Sequence, residues 1–550
     1  MRSAFWALPV LLVAARAQAQ CSMHGDMPDS GQTAQLLAGM GSAHHAITAS
    51  PEAQKWFDQG LNLTYGFNHD YSVISFRKAE QVDPSCAMCF WGEALALGPN
   101  INMPLSPENE RQALAAIQKA QALEIKTRPD ERAYIEALAK RYGTPGQDRA
   151  ARDKAFADAM RELAKANPKD ADAQTLFAES MMDLRPWDLW THDEKPQPGT
   201  DEIISALSAA LKIDPKHVGA NHYWIHLWEG SPTPEKALPE AEKLPKLAPA
   251  AGHLVHMPAH AYLRVGRYAD ASKANEDAIL ADKKFLEKTH ADGVYAAMYV
   301  AHNFQFLWFS SAMEGRSKTS IESAREMDAH FPVEMIRSMS KDMPGIDAFL
   351  APPTFALVRF GHWKELLKEP APPADFQYLT NWSHFARGVA FAAMGQLVDA
   401  KKEQAAFEAG VAKVPADITF GPQNSMKDVL AIGQHLLAAR IDEAQGQRDA
   451  AIAELQKGVA AEDALHYDEP PPWPIPMRVE LGAALLRAGQ KDKAESAFRD
   501  DLVKHPHSGW ALFGLWKSLE GRDDKAAADA KMQFDKAWSH ADVKLDVQTL

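Results

Sequence analysis

The strongest constraint on this chain is a recurrence of small, aromatic and proline residues at a period of 34 residues. Residues 53–86 carry Trp56, Gly60, Ser72, Phe76, Ala79 and Pro84. The same frame returns in 475–508 (Gly482, Gly489, Ala494, Phe498, Pro506) and in 507–540 (Trp510, Gly514, Gly521, Ala526). It is thinner in 381–414 (Gly388, Gly395, Ala400), 252–285 (Gly266, Ala271, Ala278) and 218–251 (Ala237, Pro249). A unit of this length describes two antiparallel helices. Small residues let the helices approach, and the proline ends the second helix because it cannot donate the next hydrogen bond. One pair cannot bury its apolar face alone, so such units stack.

Degenerate copies fill 86–125, 129–168, 172–215, about 301–332 and 432–465, with no strand pattern between them. The pattern resembles the tetratricopeptide (TPR) repeat. The resemblance implies an all-α, right-handed TPR-type α-solenoid of about ten helix pairs, and protein or peptide binding in its concave groove. Proline-rich insertions interrupt the array at 98–107, 185–200, 342–353, 369–375 and 468–476. Trp187, Trp190 and Trp473 within them predict loops packed onto the helices.

The chain reads as three segments. Residues 1–19 have the form of a signal peptide: Arg2, an apolar run from Phe5 to Ala15, and Ala17-Gln18-Ala19 as the cleavage site, leaving Gln20 first. Residues 20–50 read as a flexible N-terminal segment and 51–550 as the solenoid. The apolar run is too short to span a bilayer, so a bacterial periplasmic location without membrane insertion is expected. Cys21 admits a lipid-modified alternative, which the bulky Gln20 before it disfavours. The net charge of −14 argues against nucleic acid as a partner. In an oxidising compartment Cys86 and Cys89 are the only close cysteine pair, and a structural disulfide and a redox or metal role both stay open. Phe90 stands where haem attachment would require histidine.

Histidine placement carries the functional signal. His222/His226 and His256/His260 are two H-x-x-x-H pairs, each on one face of a helix and suited to a shared metal. The pairs are 34 residues apart, at positions 5 and 9 of successive repeats, which predicts a two-by-two cluster of imidazoles. His253 and His302 fall at position 2 of consecutive repeats, and with Glu229 they face the same patch. Pro258 predicts a kink between His256 and His260. Imidazole ligands suit copper, zinc, iron or nickel. Export and the Cys21-Ser-Met23-His24-Gly-Asp-Met27 segment lean toward copper, with zinc or iron as alternatives. Residues 67–70 (FNHD), His44-His45 and 466–469 (HYDE) read as turn or surface features, with 466–469 also placed to supply a distant ligand or acid/base group.

Five strings together resemble an uncharacterised group of exported bacterial TPR proteins. They are 66–70 (GFNHD), 83–89 (DPSCAMC) with Trp91-Gly92, 98–102 (GPNIN), 256–260 (HMPAH) with Arg264 and Gly266-Arg-Tyr268, and 467–471 (YDEPP) with Trp473. That resemblance implies the fold over nearly the whole chain and no particular reaction. Three functions are consistent with these residues: a copper-dependent oxidoreductase acting on a small molecule at the histidine cluster, a metal-handling protein, or an adaptor that binds a peptide or protein.

Overall fold

The computed structural model describes residues 34–143, 148–340 and 343–550. The signal segment 1–19, Cys21 and the Met23–Met27 stretch lie outside these residues. The described residues form two compact units, one comprising those from 34 to 261 and 274–303, the other 262–273 and those from 304 to 550. Both are all-α stacks of TPR-type helix pairs.

In the first unit, helix Pro51–Tyr65 packs on its partner His69–Val82 and on the next pair's first helix, Ala87–Ala96. The second unit repeats this with Met477–Arg487, Lys491–Lys504 and Gly509–Leu519. The reason is visible around two aromatic rings. A Cβ on Gly60 would stand 2.8 Å from the Phe76 ring, and one on Gly92 would stand 2.2 Å from the same ring. Phe498 is held in the same way between Gly482 (2.6 Å) and Gly514 (2.1 Å). In these two pairs the aromatic ring of the second helix therefore fills space that only glycines on two successive first helices leave. The turns within pairs use glycine for another purpose: Gly489 and Gly521 adopt φ of 74° and 73°, which a side chain disfavours.

Of the segment expected to be a flexible tail, residues 34–50 carry no helix but are pinned to the first repeat. Leu37 and Ala43 donate backbone N–H groups to the side chains of Gln59 and Asn62, and Met40 and Ile47 are buried. Ser50 then caps the first helix, with Pro51 opening it. Cys86 and Cys89 form a disulfide at the start of Ala87–Ala96.

The absence of strands needs one correction. Thr419–Phe420 pairs antiparallel with Asn424–Ser425 in the second unit. Two-residue strands are too short to show a period of two in sequence. Trp190 behaves as its loop predicts, donating its indole N–H to the Leu227 carbonyl at 2.8 Å.

Candidate metal centre

All six candidate histidines belong to the first unit. His222 and His226 lie one turn apart on Val218–Glu229; His253 and His256 lie on Gly252–His256; His260 lies on Pro258–Arg264 and His302 on Val300–Met313. The structure divides them into two sets of three rather than one set of four. His222, His226 and His253 form the first, and His256, His260 and His302 the second, with the ligand atoms of each set within 4.8 Å of one another. One rule generates both: an i, i+4 pair on one repeat is completed by the position-2 histidine of the next. Position 2 of the later helix thus comes within ligand reach of the earlier pair.

Within the first set, Nε2 of His222 is 3.0 Å from Nε2 of His226 and 3.2 Å from Nε2 of His253. In the second, Nε2 of His256 and His260 are 2.8 Å apart, and the His302 ring centre is 5.0 Å from that of His256. The two sets are neighbours: His226 and His260 have ring centres 5.8 Å apart, as do His253 and His256. Pro258 ends one short helix and opens another, yet the His256–His260 ring separation is 4.7 Å against 4.8 Å for His222–His226. The expected kink is a break in hydrogen bonding without a loss of register, because Met257 keeps right-handed helical angles.

The far sides of the rings determine what the near sides can do. Nδ1 of His222 lies 2.6 Å from the Tyr65 carbonyl oxygen, and Nδ1 of His256 lies 2.7 Å from Asn275 Oδ1. Nδ1 of His226 meets Glu229 Oε1 at 2.8 Å, and Nδ1 of His260 meets Glu229 Oε2 at 2.7 Å. Carbonyl and carboxylate oxygens only accept, so each of these four Nδ1 atoms carries the proton and each Nε2 presents a lone pair inward. Lone pairs facing one another at about 3 Å repel unless a cation or proton lies between them. Metal–nitrogen bonds of about 2.0–2.1 Å place adjacent ligand nitrogens about 2.8–3.4 Å apart for angles between a right angle and the tetrahedral one, which is close to the spacing seen.

Protonation is disfavoured at three of the six rings. Burial, reinforced by neighbouring imidazoles, holds His222, His253 and His256 well below the usual histidine range. Burial alone would raise the Glu229 carboxyl; the His226 and His260 rings outweigh it and hold the group down, to about 2.

Three aromatic side chains wall the cluster. Tyr299 sets its ring 4.9 Å from His253, and Trp187, from the 185–200 insertion, stands 5.9 Å from His226. Phe67 contacts the whole first set, with ring centres 4.6 Å from His222, 5.7 Å from His226 and 5.5 Å from His253. It occupies the repeat position that is glycine in other pairs, at a φ of 55°. A bulky residue held in this strained region marks a functional position better than a turn preference does. The expected open groove is thus largely closed: His222 and His256 are fully buried and His260 is 1% exposed, while His302 stays partly accessible.

Second-layer contacts lock the approach of the helices. Tyr295–Tyr299 forms a π-helical turn just before the helix that bears His302, a distortion common at functional sites. The Tyr295 hydroxyl accepts from His253 N and donates to Asp282, which also accepts from Asn303. Tyr65, whose carbonyl orients His222, donates its hydroxyl to Asp172 at 2.5 Å, and Asp172 also pairs with His45 and His217.

His253 and His302 were legible from their repeat positions. Glu229, expected near the patch, lies behind the imidazoles rather than among them. Phe67, Tyr65, Asn275 and Tyr299 were missed; only the break in the glycine pattern at Phe67 could have signalled one of them. His44 and His45 pair with Asp58 and Asp172, outside the cluster. In the second unit, His466 is tied through its backbone to Asn424, and burial pushes Asp468 up to about 8.

No protein-family model matches the chain, and no curated protein does. Among solved structures it is similar to the APC/C hetero-tetramer Cut9–Hcn1, at 14% identity over 92% of this chain and 82% of that one, with a TM-score of 0.32. It is similar to yeast Tom70 at 11% identity over 89% of each chain and a TM-score of 0.28. It is also similar to the TPR domain of P58(IPK), at 12% identity over 88% of this chain and 99% of that one, with a TM-score of 0.22. Likenesses this weak carry nothing about activity, and the fold rests on the helix pairs and glycine contacts themselves.

Proposed function

We propose that this chain is an exported, periplasmic metalloprotein whose helix repeats hold a polyhistidine transition-metal centre, and that it acts as a copper-dependent oxidoreductase on a small molecule. The observation that supports it is the inward aim of Nε2 lone pairs from rings whose Nδ1 atoms face acceptors. An all-nitrogen ligand set suits copper, and copper stands highest among the divalent first-row ions in affinity for such sites. Three protein ligands per set leave a coordination position for a substrate or oxygen, which favours chemistry over storage. Phe67, Tyr299 and Trp187 would keep bulk water from it.

Metal analysis of the purified protein, before and after exposure to copper, zinc or iron, tests this reading. The parent should retain copper, and His226→Ala/His260→Ala should lose most of it while remaining helical by circular dichroism. Equal metal content in parent and variant places the metal elsewhere. A parent that holds no metal favours a second reading, a scaffold for a peptide or protein, which the TPR-type helix pairs of both units support. Metal retained without oxygen consumption across a substrate panel favours metal handling.

A further inference from the structure

We infer that the two histidine sets form one dinuclear centre that binds two adjacent metal ions, with Glu229 as the positioning residue that serves both. The inference rests on the metal reading above and adds to it the number of ions and the residue that links them. Each set is a complete tris-imidazole site, and each is built by the same repeat rule, so one ion shared by six rings would leave one set without a function. Rings from the two sets approach to 5.8 Å between centres at two places, which makes the two ion positions adjacent.

Among the described residues, Glu229 faces a ligand of each set. It is buried, and its two oxygens face Nδ1 of His226 and Nδ1 of His260. A carboxylate can accept from both N–H groups at once; an amide cannot. In Glu229→Gln the amide oxygen can serve one ring, and the NH2 group then faces the N–H of the other. That second ring must move its proton to Nε2 to accept at Nδ1, and Nε2 then has no lone pair for a metal. The substitution, nearly identical in shape, therefore removes a ligand from one set without touching a ligand residue.

The test is copper titration of the full-length protein, with metal content per chain and Cu(II) electron paramagnetic resonance as readouts. The parent should saturate at two ions, with a spectrum broadened by interaction between them. His302→Ala should saturate at one ion and show an isolated-ion spectrum. Glu229→Gln should keep one ion at parental affinity and bind the second on the order of 10–100-fold more weakly, the usual effect of losing an outer-layer partner. Glu229→Asp retains two accepting oxygens and should recover part of the second site. Saturation of the parent at a single ion overturns this inference and leaves the metal reading standing; binding of no ion overturns both. Two ions bound by Glu229→Gln at parental affinity would also overturn the role of Glu229, and metal-free circular dichroism separates that result from misfolding.

Discussion

Phe67 places its ring 4.6 Å from that of His222 while its own backbone sits at a φ of 55°. The two facts belong together: the turn that glycine would make without strain is made by a side chain whose ring covers three imidazoles.

Phe67→Gly should therefore relieve strain of about 1–2 kcal/mol and lose packing worth about 3–5 kcal/mol. The net expectation is destabilisation by about 1–4 kcal/mol, because the cavity outweighs the relief. Urea unfolding measures it, and a variant as stable as the parent would show that the ring is not packed as described. Bound metal should also exchange faster once water reaches the rings.

Asn275→Leu removes the acceptor behind His256. Affinity at the second set should fall about 10–100-fold, with the first set unaffected. Competition against a chelator of known affinity reads the loss, and equal weakening at both sets would point to a general structural effect.

Burial pushes the Asp282 carboxyl up to about 7, despite hydrogen bonds from Tyr295 and Asn303. Between an unfolded value of about 4 and that folded value, the native chain holds a proton that the unfolded chain has released. Stability therefore falls as pH rises across this window, by at most about 1.4 kcal/mol per unit. Asp282→Asn lacks this loss, so its stability relative to the parent should rise between pH 5 and 7.5 in metal-free protein. Parallel urea midpoints for the two proteins would refute the assignment. His69 acts in the opposite sense: burial holds it down to about 4, so its contribution to stability is complete above about pH 6.5 and declines as pH falls toward 4.

Gly514→Ala forces a methyl group against the Phe498 ring and should destabilise the second unit by about 1–3 kcal/mol. Adding Phe498→Leu should make the alanine much less costly, giving a favourable coupling in a double-mutant cycle. Additive effects would mean that the ring does not fill the space between successive repeats.

The repeat frame, the helix pairs and the histidine spacings were legible in the residues, because a helix turns every 3.6 residues and each repeat restores the same face. Phe76 and Phe498, at equivalent repeat positions, could be matched before any contact between them and the glycines was known. Two i, i+4 pairs 34 residues apart had to lie on adjacent helices, and His253 and His302 had to share one repeat position. The division into two sets of three was not legible. It depends on the packing of neighbouring helices and on side-chain rotamers, which periodicity leaves open. Neither could spacing assign the Tyr65 carbonyl to His222, 157 residues away, or reveal that one carboxylate, Glu229, faces rings from both sets. Sequence alone determined which residues meet on a common face. Tertiary packing decided which atoms face one another, and therefore where the lone pairs converge.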